Sequence, residues 1–415
     1  MRDQQNRGTH WALLWGLVAG LGTASGCDPS PTPMDLPTAT PMGTESASHK
    51  MTDRCGTGTY QAQVTKEGPN YVAFHDSETI YTGSNFSTAV QLAIDQLTPE
   101  RTSMERVLVR PAGTLLDGQQ ITLRSHTGVD FCGTIHVEAP SHVAPIYAQG
   151  VEHVEIGHLA MTGSPHYAVL LRDVQHTHLG TLNLQLTDGH GLRIHSSTNR
   201  HAERPLPTSH IVIDNMYISG SSSHGLELDH VNGVFLGTLT ARNTRGSGLF
   251  LKNTAHVYVD HVDAHDTGSA PGHAAVTLTN RSGRIGNAYP QNLYFKQVVA
   301  RGGAGGISCT SESGGADFGV LDLTVTGAHP ILVENCQRIR IGTESGLITG
   351  GGDVRVSASQ EFASTSDVVL QNLTITNTDL VESPCGDNTV IQNVRVTGGR
   401  MSICAGSDQG ENSVN

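Results

Sequence analysis

The sequence is poor in aromatic and basic residues. Phe, Trp and Tyr make up 5% of its 415 residues, whereas Gly alone occurs 48 times, a composition typical of chains with many tight turns. Lys and Arg number 25 against 38 Asp and Glu, which gives a formal net charge of -13. Because phosphate binding needs a basic face, we expect no nucleic-acid partner. A polyanionic ligand would need a local basic patch.

The apolar run at residues 11–21 is too short to span a bilayer. It follows two arginines and ends in Ala-Ser-Gly-Cys at residues 24–27, as an export signal does. This ending resembles the lipobox of bacterial lipoproteins, in which small residues precede a Cys that is lipidated and becomes the mature N-terminus, although Ala24 stands where Leu is commonest. The resemblance implies lipidation of Cys27 and an exported, membrane-anchored protein in the periplasm or at the cell surface. A plain secretory signal is the alternative.

A short strand pattern recurs between residues 190 and 252. Its copies are His190-Gly-Leu-Arg-Ile-His195, His224-Gly-Leu-Glu-Leu-Asp229 and Ser247-Gly-Leu-Phe-Leu-Lys252. Because side chains alternate between the two faces of a strand, the Leu and Ile positions share one face and the polar positions share the other. The first inward position continues along the chain as Val169, Leu192, Leu226, Leu249, Val276, Ile307 and Ile331. A second inward series, about ten residues earlier, reads Leu159, Leu182, Met216, Leu239 and Val262.

Both series contain gaps of 23 residues and one gap of 34. The minimal repeat is therefore 23 residues, with one insertion at residues 196–209. Each repeat has at least two alternating strands joined by Gly, Asn, Asp and Ser turns, and none has a helical period. This pattern predicts a solenoid of short parallel strands, in which each coil buries its inner face on its neighbours.

One helical pattern precedes the repeats, at residues 86–98, after a candidate cap at Ser87. Its apolar residues at helical spacing are Val90, Ala93, Ile94 and Leu97. A strand and a Pro-x-Gly turn follow, Arg106-Val-Leu-Val-Arg-Pro-Ala-Gly113. In this arrangement residues 80–400 resemble the pectate lyase superfamily. The resemblance implies an all-β fold, a right-handed single-stranded parallel β-helix with an N-terminal capping helix, on which many activities are found.

We expect five segments along the chain. Residues 1–27 form the lipoprotein signal and its Cys. Residues 28–52 contain five prolines among Thr, Ser and Ala, and form a disordered tether. Residues 53–140 form the cap and the first coils, residues 141–405 the remaining coils, and residues 406–415 a polar tail.

The remaining six cysteines fit disulfides in an exported protein. Six cysteines allow fifteen connectivities. Pairing of sequence neighbours is one hypothesis: Cys55 with Cys132, Cys309 with Cys336, and Cys385 with Cys404. Cys309 alternatively fits a buried free thiol. No pair has C-x-x-C spacing, so we expect no structural zinc site.

Outward positions of stacked coils form columns, because neighbouring strands lie about 4.8 Å apart. One column reads Leu170, Arg193, Glu227, Phe250 and Thr277, and the next reads Arg172, His195, Asp229, Lys252 and Thr279. We expect His190 and His224 to stack at the adjoining turn. The insertion, with Arg200, His201, Glu203 and Arg204, would stand beside the columns. A second cluster, Asp260, His261, Asp263, His265, Asp266 and His273, is expected on the neighbouring strand and turn.

These residues suit an acidic polysaccharide. A uronate lyase must neutralise a carboxylate and remove the C5 proton, and an acid can assist the leaving oxygen. The catalytic candidates are His195, Glu227, Asp229 and Lys252, with His195 or Lys252 as the base and the carboxylates orienting it or holding Ca²⁺. The substrate-binding candidates are Arg172, Arg193, His190, His224, His265 and Asp266. No cofactor other than Ca²⁺ is suggested.

Three alternatives stay open. A glycoside hydrolase would use Glu227 and Asp229, or either with Asp266, as its carboxylate pair. Asp188-Gly-His-Gly191 and Arg338-Ile-Arg340 resemble polygalacturonase segments, but the Asn-x-Asp and Asp-Asp pairs of those enzymes are missing just upstream. Asp263-Ala-His-Asp266 resembles the Asp-Pro-His of alginate epimerases without its Pro. A solvated ladder of opposite charges on a non-catalytic surface protein is the third. The sequence favours a monomeric, polysaccharide-active lyase.

Overall fold

A computed structural model describes residues 55–138, 142–197, 208–284 and 288–415. Within this part of the chain, the secondary structure is almost entirely β. The elements are β1 (Ala62–Glu67), β2 (Asn70–His75), β3 (Glu78–Gly83), α1 (Phe86–Asp95), β4 (Glu105–Val109), β5 (Gly113–Leu115), β6 (Ile121–Thr122), β7 (Thr127–Val137), β8 (Ile146–Gln149), β9 (Glu152–Gly163), β10 (Tyr167–Arg172), β11 (Gln175–Leu186), β12 (His190–His195), β13 (Ser209–Ser219), β14 (Leu226–Asp229), β15 (Asn232–Arg242), β16 (Leu249–Lys252), β17 (Ala255–His265), β18 (Val276–Thr279), a 3-10 turn (Arg281–Gly283), β19 (Leu293–Arg301), β20 (Ile307–Cys309), β21 (Ser313–Val325), β22 (Ile331–Glu334), β23 (Cys336–Gly350), β24 (Asp353–Ser357), β25 (Ser366–Thr376), β26 (Asp379–Glu382), β27 (Val390–Thr397), β28 (Met401–Ser402), β29 (Asp408–Gln409) and β30 (Ser413–Val414).

From β6 to β28 the chain alternates between a short strand and a long strand. The short strands, β6 to β28 in even numbers, form one 12-stranded sheet in which each strand pairs with the next even-numbered strand in parallel. The long strands from β7 to β27 pair in parallel in a second sheet. The protein is therefore a parallel β-helix, as predicted.

The register of the short sheet confirms the first inward series. Leu192 pairs with Leu226, and Leu226 pairs with Leu249. All three side chains are buried in one continuous apolar core that runs through the coils. The second series is confirmed in the long sheet, where Leu182 pairs with Met216 and Met216 with Leu239.

Each long strand turns a corner near its middle. In β17, Val257 and Val259 are buried before the corner, and Val262 and Ala264 are buried after it. This change of phase shows a bend, because alternation alone would keep every inward residue two positions apart. A coil therefore has three outer surfaces: the short-sheet face, the first long-sheet face before the bend, and the second long-sheet face after it.

The N-terminal end of the core is covered by an antiparallel meander and a helix. Strands β1, β2 and β3 pair antiparallel, which the sequence analysis did not predict. The helix α1 buries Val90, Ala93 and Ile94 as expected. Its N-cap is Asn85, whose side chain accepts a hydrogen bond from the backbone N–H of Thr88, so the predicted cap at Ser87 is wrong.

Three disulfides join the cysteine pairs predicted from sequence order. Cys55 is bonded to Cys132, Cys309 to Cys336 and Cys385 to Cys404. Cys309 is buried but is not a free thiol. The first bridge ties the start of the described chain to β7, and the other two link neighbouring parts of the later coils.

Candidate functional site

The short-sheet face brings the two predicted columns into register. Arg193 of β12 pairs with Glu227 of β14, and His195 pairs with Asp229. Glu227 in turn pairs with Phe250 of β16, and Asp229 with Lys252. Parallel pairing without a register shift thus places charges that are distant in the sequence side by side. We call Arg193, His195, Glu227, Asp229 and Lys252 the charged strip.

Asp229 is the centre of the charged strip. One carboxylate oxygen accepts a hydrogen bond from Nδ1 of His230 at 2.6 Å. The other accepts hydrogen bonds from Arg193 at 3.3 Å and Lys252 at 3.2 Å. Burial raises the pKa of Asp229, but the hydrogen bond from His230 and the nearby Lys252 outweigh burial and hold that pKa below its usual value. With a side chain only 9% exposed, Asp229 is an ionised anchor whose two oxygens are both engaged.

Glu227 lies two residues earlier on the same strand but in a different environment. Its side chain is 12% exposed, and its Oε1 lies 3.4 Å from Nε of Arg193. That nitrogen makes no hydrogen bond within the described chain, so the contact is an ion pair only. Burial, reinforced by the charge of Asp229, raises the pKa of Glu227 despite the attraction of Arg193 and Lys252. Glu227 is therefore suited to hold and release a proton.

Arg193 is held rigidly on the strip. Its guanidinium donates to the hydroxyl of Tyr167 at 3.0 Å and lies over the Tyr167 ring at 5.7 Å, in addition to its contacts with the two carboxylates. Arg172, on the preceding coil, is less constrained. It lies 3.9 Å from Asp173, and its Nε makes no hydrogen bond within the described chain. Arg172 and Lys252, which are 39% and 42% exposed, are thus the cations best placed to meet a ligand.

His195 is a neutral imidazole at the edge of the strip. Burial, followed by the charge of Arg193, lowers the pKa of His195. Its Nδ1 lies 3.3 Å from the carbonyl oxygen of Ser196. Because a carbonyl only accepts, Nδ1 must carry the proton, which leaves the lone pair of Nε2 available. This is the protonation state that a general base needs.

Aromatic and imidazole rings border the other end of the short strands. The ring of His224 stacks on Phe250 at 4.3 Å and contacts His273 at 4.9 Å. The ring of His190 contacts Tyr167 at 4.6 Å instead. The described ring contacts thus do not include the predicted stacking of His190 on His224. Burial, with the charges of His273 and His190, lowers the pKa of His224 to about 3. His224 accepts a hydrogen bond from the Ser247 backbone and is neutral.

The second predicted cluster lies on other surfaces. His265 contacts Asp263 at 3.2 Å on the second long-sheet face, where Asp263 also pairs with Arg242. Asp266 lies in the turn that follows, with a φ of 52°. From that turn, His273 reaches the short-sheet face. The contacts of the charged strip within the described chain therefore include neither His265 nor Asp266. The four charged residues predicted within the insertion, residues 200–204, lie outside the described residues.

The carboxylates do not fit the suggested Ca²⁺. Calcium needs six to eight oxygen ligands, whereas both oxygens of Asp229 face nitrogen donors and Arg193 lies against Glu227. Among the described residues, one other group has potential metal ligands close together, Cys55, Asp130 and His158. Because Cys55 is in a disulfide, it offers no thiolate to a metal there.

The fold and the strip define a class of protein: a parallel β-helix that carries a compact charged site on its short-sheet face. The sequence matches no protein-family model. It also matches no curated protein. The structure is similar to that of a family 28 exopolygalacturonase from Yersinia enterocolitica, with 10% sequence identity, 83% of each chain covered and a TM-score of 0.30. A similarity this low carries no argument about activity, which must be inferred from the strip itself.

Proposed function

We propose that this protein acts on polysaccharides and cleaves an acidic glycan by β-elimination on its short-sheet face. The observation that carries the proposal is that adjacent short strands place a neutral imidazole, His195, and a carboxyl group of raised pKa, Glu227, in the same charged strip beside Arg193 and Lys252. Burial lowers the pKa of the base and raises the pKa of the acid, and perturbed pKa values of this kind are typical of active sites.

The proposed reaction uses three kinds of group. Arg172 and Lys252, with Arg193 behind them, neutralise the uronate carboxylate and so make its C5 proton more acidic. Nε2 of His195 takes that proton. The C5–H electrons form the C4=C5 double bond, the C4–O bond breaks, and Glu227 gives its proton to the leaving oxygen. Asp229 takes part in no bond change; it positions Arg193 and Lys252.

A hydrolase is less well supported by the same geometry. Hydrolysis needs a second carboxylate that can attack the sugar or activate water. Asp229 is nearly buried, and three donors already occupy its oxygens. The proposed partner Asp266 lies beyond the second long-sheet face, in a separate turn. Elimination requires only one base and one acid, both of which the strip supplies.

We also propose export with a lipid anchor at Cys27, because a polymer of acidic sugars would be met outside the cytoplasm. The signal and tether segments lie outside the described residues. Within the described chain, no helix has the length and apolarity needed to cross a membrane.

The first prediction concerns product chemistry. The full chain, incubated with a panel of uronate polymers, should release oligosaccharides with unsaturated, ultraviolet-absorbing ends. His195→Asn should reduce the initial rate by about 10²–10⁴-fold, which is the usual contribution of a general base. The matched control is His256→Asn, because His256 is an exposed imidazole on the first long-sheet face. This variant should leave the rate unchanged.

Three results would contradict the proposal. Reducing ends without unsaturated product would indicate a hydrolase instead. A correctly folded protein that cleaves no uronate polymer, or a His195→Asn variant with full activity, would rule out the assigned chemistry.

A further inference from the structure

A second concave surface lies away from the charged strip. It is a groove of about 420 Å³ on the second long-sheet face, above β11, β13 and β15. Its lining residues are Thr181, Leu182, Asn183, Gln185, Asn215, Met216, Tyr217, Thr238 and Thr240. None of the nine carries a charge, in contrast to the site on the short-sheet face.

Strand register arranges the polar side chains of this groove in rows. Thr181 pairs with Asn215, and Asn215 with Thr238. A parallel row contains Asn183, Tyr217 and Thr240 in the same order. Leu182 and Met216, which are buried between the rows, form the apolar floor. The groove thus offers two lines of hydroxyl and amide groups, repeated at the coil spacing of about 4.8 Å.

These groups are not used to hold the fold together. Within the described chain, the one side-chain hydrogen bond of the groove runs from Gln185 to Asn183 at 3.1 Å. The side chains of Asn215 and Tyr217 make none there. Exposed polar groups can bond to water, but here they are gathered in a concavity with a half-exposed aromatic ring. The Tyr217 side chain is 37% exposed and presents both an apolar ring and a hydroxyl.

The surface next to the groove is different. At the edge of the groove, Arg242, the last residue of β15, forms an ion pair at 2.6 Å with Asp263 of the next coil. Two coils further on, Arg301 pairs with Asp322. The absence of charge from the nine groove residues is therefore a local property. An acidic sugar bound there would lose solvation without gaining an unpaired cation, because Arg242 at the edge is already engaged by Asp263. A ligand rich in hydroxyls and free of charge would satisfy both rows.

We propose that this groove is a second carbohydrate site that binds neutral sugar units of a polysaccharide chain. Its hydroxyl and amide rows donate to and accept from sugar hydroxyls, and the Tyr217 ring packs on the apolar side of a sugar. The site is on a different face from the charged strip and contributes no group to the reaction proposed there. It holds polymer on the protein whether or not the strip cleaves it.

The test measures retardation of the full chain in native gels that contain a neutral polymer. Dextran, galactomannan and unsubstituted xylan are the neutral probes, and polygalacturonate is the acidic one. At least one neutral polymer should retard the protein. Tyr217→Ala removes the ring, and Asn215→Asp introduces a negative charge in a side chain of similar size. Each should weaken the affinity for the neutral polymer about tenfold, which corresponds to a loss of about 1.4 kcal/mol of binding free energy.

Tyr258→Ala is the matched control, because Tyr258 is also 37% exposed but lies on the first long-sheet face. It should bind as the unmodified protein does. Melting curves of all three variants check that they fold. Formation of unsaturated product from short acidic oligosaccharides should be the same in all three, so failure of this proposal is distinguishable from failure of the lyase proposal.

Three outcomes would overturn the proposal. In the first, no neutral polymer retards the protein. In the second, the groove variants bind as tightly as the unmodified protein, or Tyr258→Ala loses as much affinity as they do. In the third, retardation is confined to polygalacturonate and the groove variants weaken it, which would show that the ligand of the groove is acidic.

Discussion

At the scale of single residues, Glu227 and Asp229 show how neighbours on one strand acquire different chemistry. Both are largely buried carboxylates of β14. Despite burial, hydrogen bonds from His230 and Lys252 hold the pKa of Asp229 below its usual value. Burial raises the pKa of Glu227, because its single ion pair, with Arg193, lowers that pKa too little to compensate. The difference comes from hydrogen-bond donors and not from depth, because a bonded carboxylate is stabilised in its charged form.

The second prediction follows from this difference. Asp229→Asn should lower the free energy of unfolding by about 2 kcal/mol, because it removes charged hydrogen bonds to Arg193 and Lys252. It should also raise KM for a uronate polymer, since both cations lose their anchor. Asp260→Asn is the control: Asp260 pairs with Lys296 on an exposed surface, where ion pairs contribute little. Equal stability losses in urea unfolding of the two variants would contradict this role for Asp229.

At the scale of elements, close packing of coils explains a motif that resembles an enzyme signature. The Gly-His-Gly of residues 189–191 leads into β12. A Cβ on Gly191 would lie 2.0 Å from the carbonyl oxygen of Gly225, and one on Gly225 would lie 2.7 Å from that of Gly248. Glycine recurs before the inward Leu because the turn backbones of successive coils approach too closely for a side chain. Packing therefore accounts for the second glycine of the motif without any catalytic role.

The third prediction concerns the capping helix. Asn85→Ala should remove the acceptor for the first-turn N–H of Thr88 and destabilise α1 by about 1 kcal/mol, the usual effect of losing an N-cap. Faster hydrogen exchange of the first-turn amides would report it. Ser84→Ala, an exposed substitution one residue earlier, should leave exchange unchanged. If Ser87→Ala had the larger effect, Asn85 would not be the functional cap.

At the scale of the whole molecule, histidines make the fold sensitive to acid. Rings of His126, His153, His176 and His210 stack in successive coils at 4.6 to 4.8 Å. Burial lowers the pKa of His176, and also those of His190, His195, His224 and His273. The hydrogen bond to Asp214 raises the pKa of His178, which acts in the opposite direction. Most of these shifts disfavour protonation of the native state.

The fourth prediction is therefore a loss of stability between pH 7 and pH 5. The unfolded chain binds protons near pH 6.5, whereas the folded chain resists them, so acid favours unfolding. His224, with a pKa of about 3 in the fold, should alone contribute a loss of about 2 kcal/mol at pH 5. The raised pKa of Glu227 opposes this trend.

Urea unfolding at both pH values measures the effect. His224→Gln should have a weaker dependence on pH than the unmodified protein, whereas His256→Asn, an exposed imidazole, should keep the full dependence. A protein that is equally stable at pH 5 and pH 7 would contradict the prediction.

The sequence by itself determined the repeat, and with it the coil, the inward Leu series and the two columns of outward residues. These follow from alternation along a strand and from a fixed period, which are local properties. The cysteine order also matched the disulfides, because residues one or a few coils apart are close in a solenoid.

Only the tertiary structure decided which of the candidate residues act together. It buried Asp229 behind three donors, and it placed His265 on a different face from His195. Burial and donor geometry depend on how coils stack, and the direction of the corner in each long strand depends on packing around the core. The repeat period does not specify burial or donor geometry, because side chains one coil apart come into contact only when the coils are stacked in the folded protein.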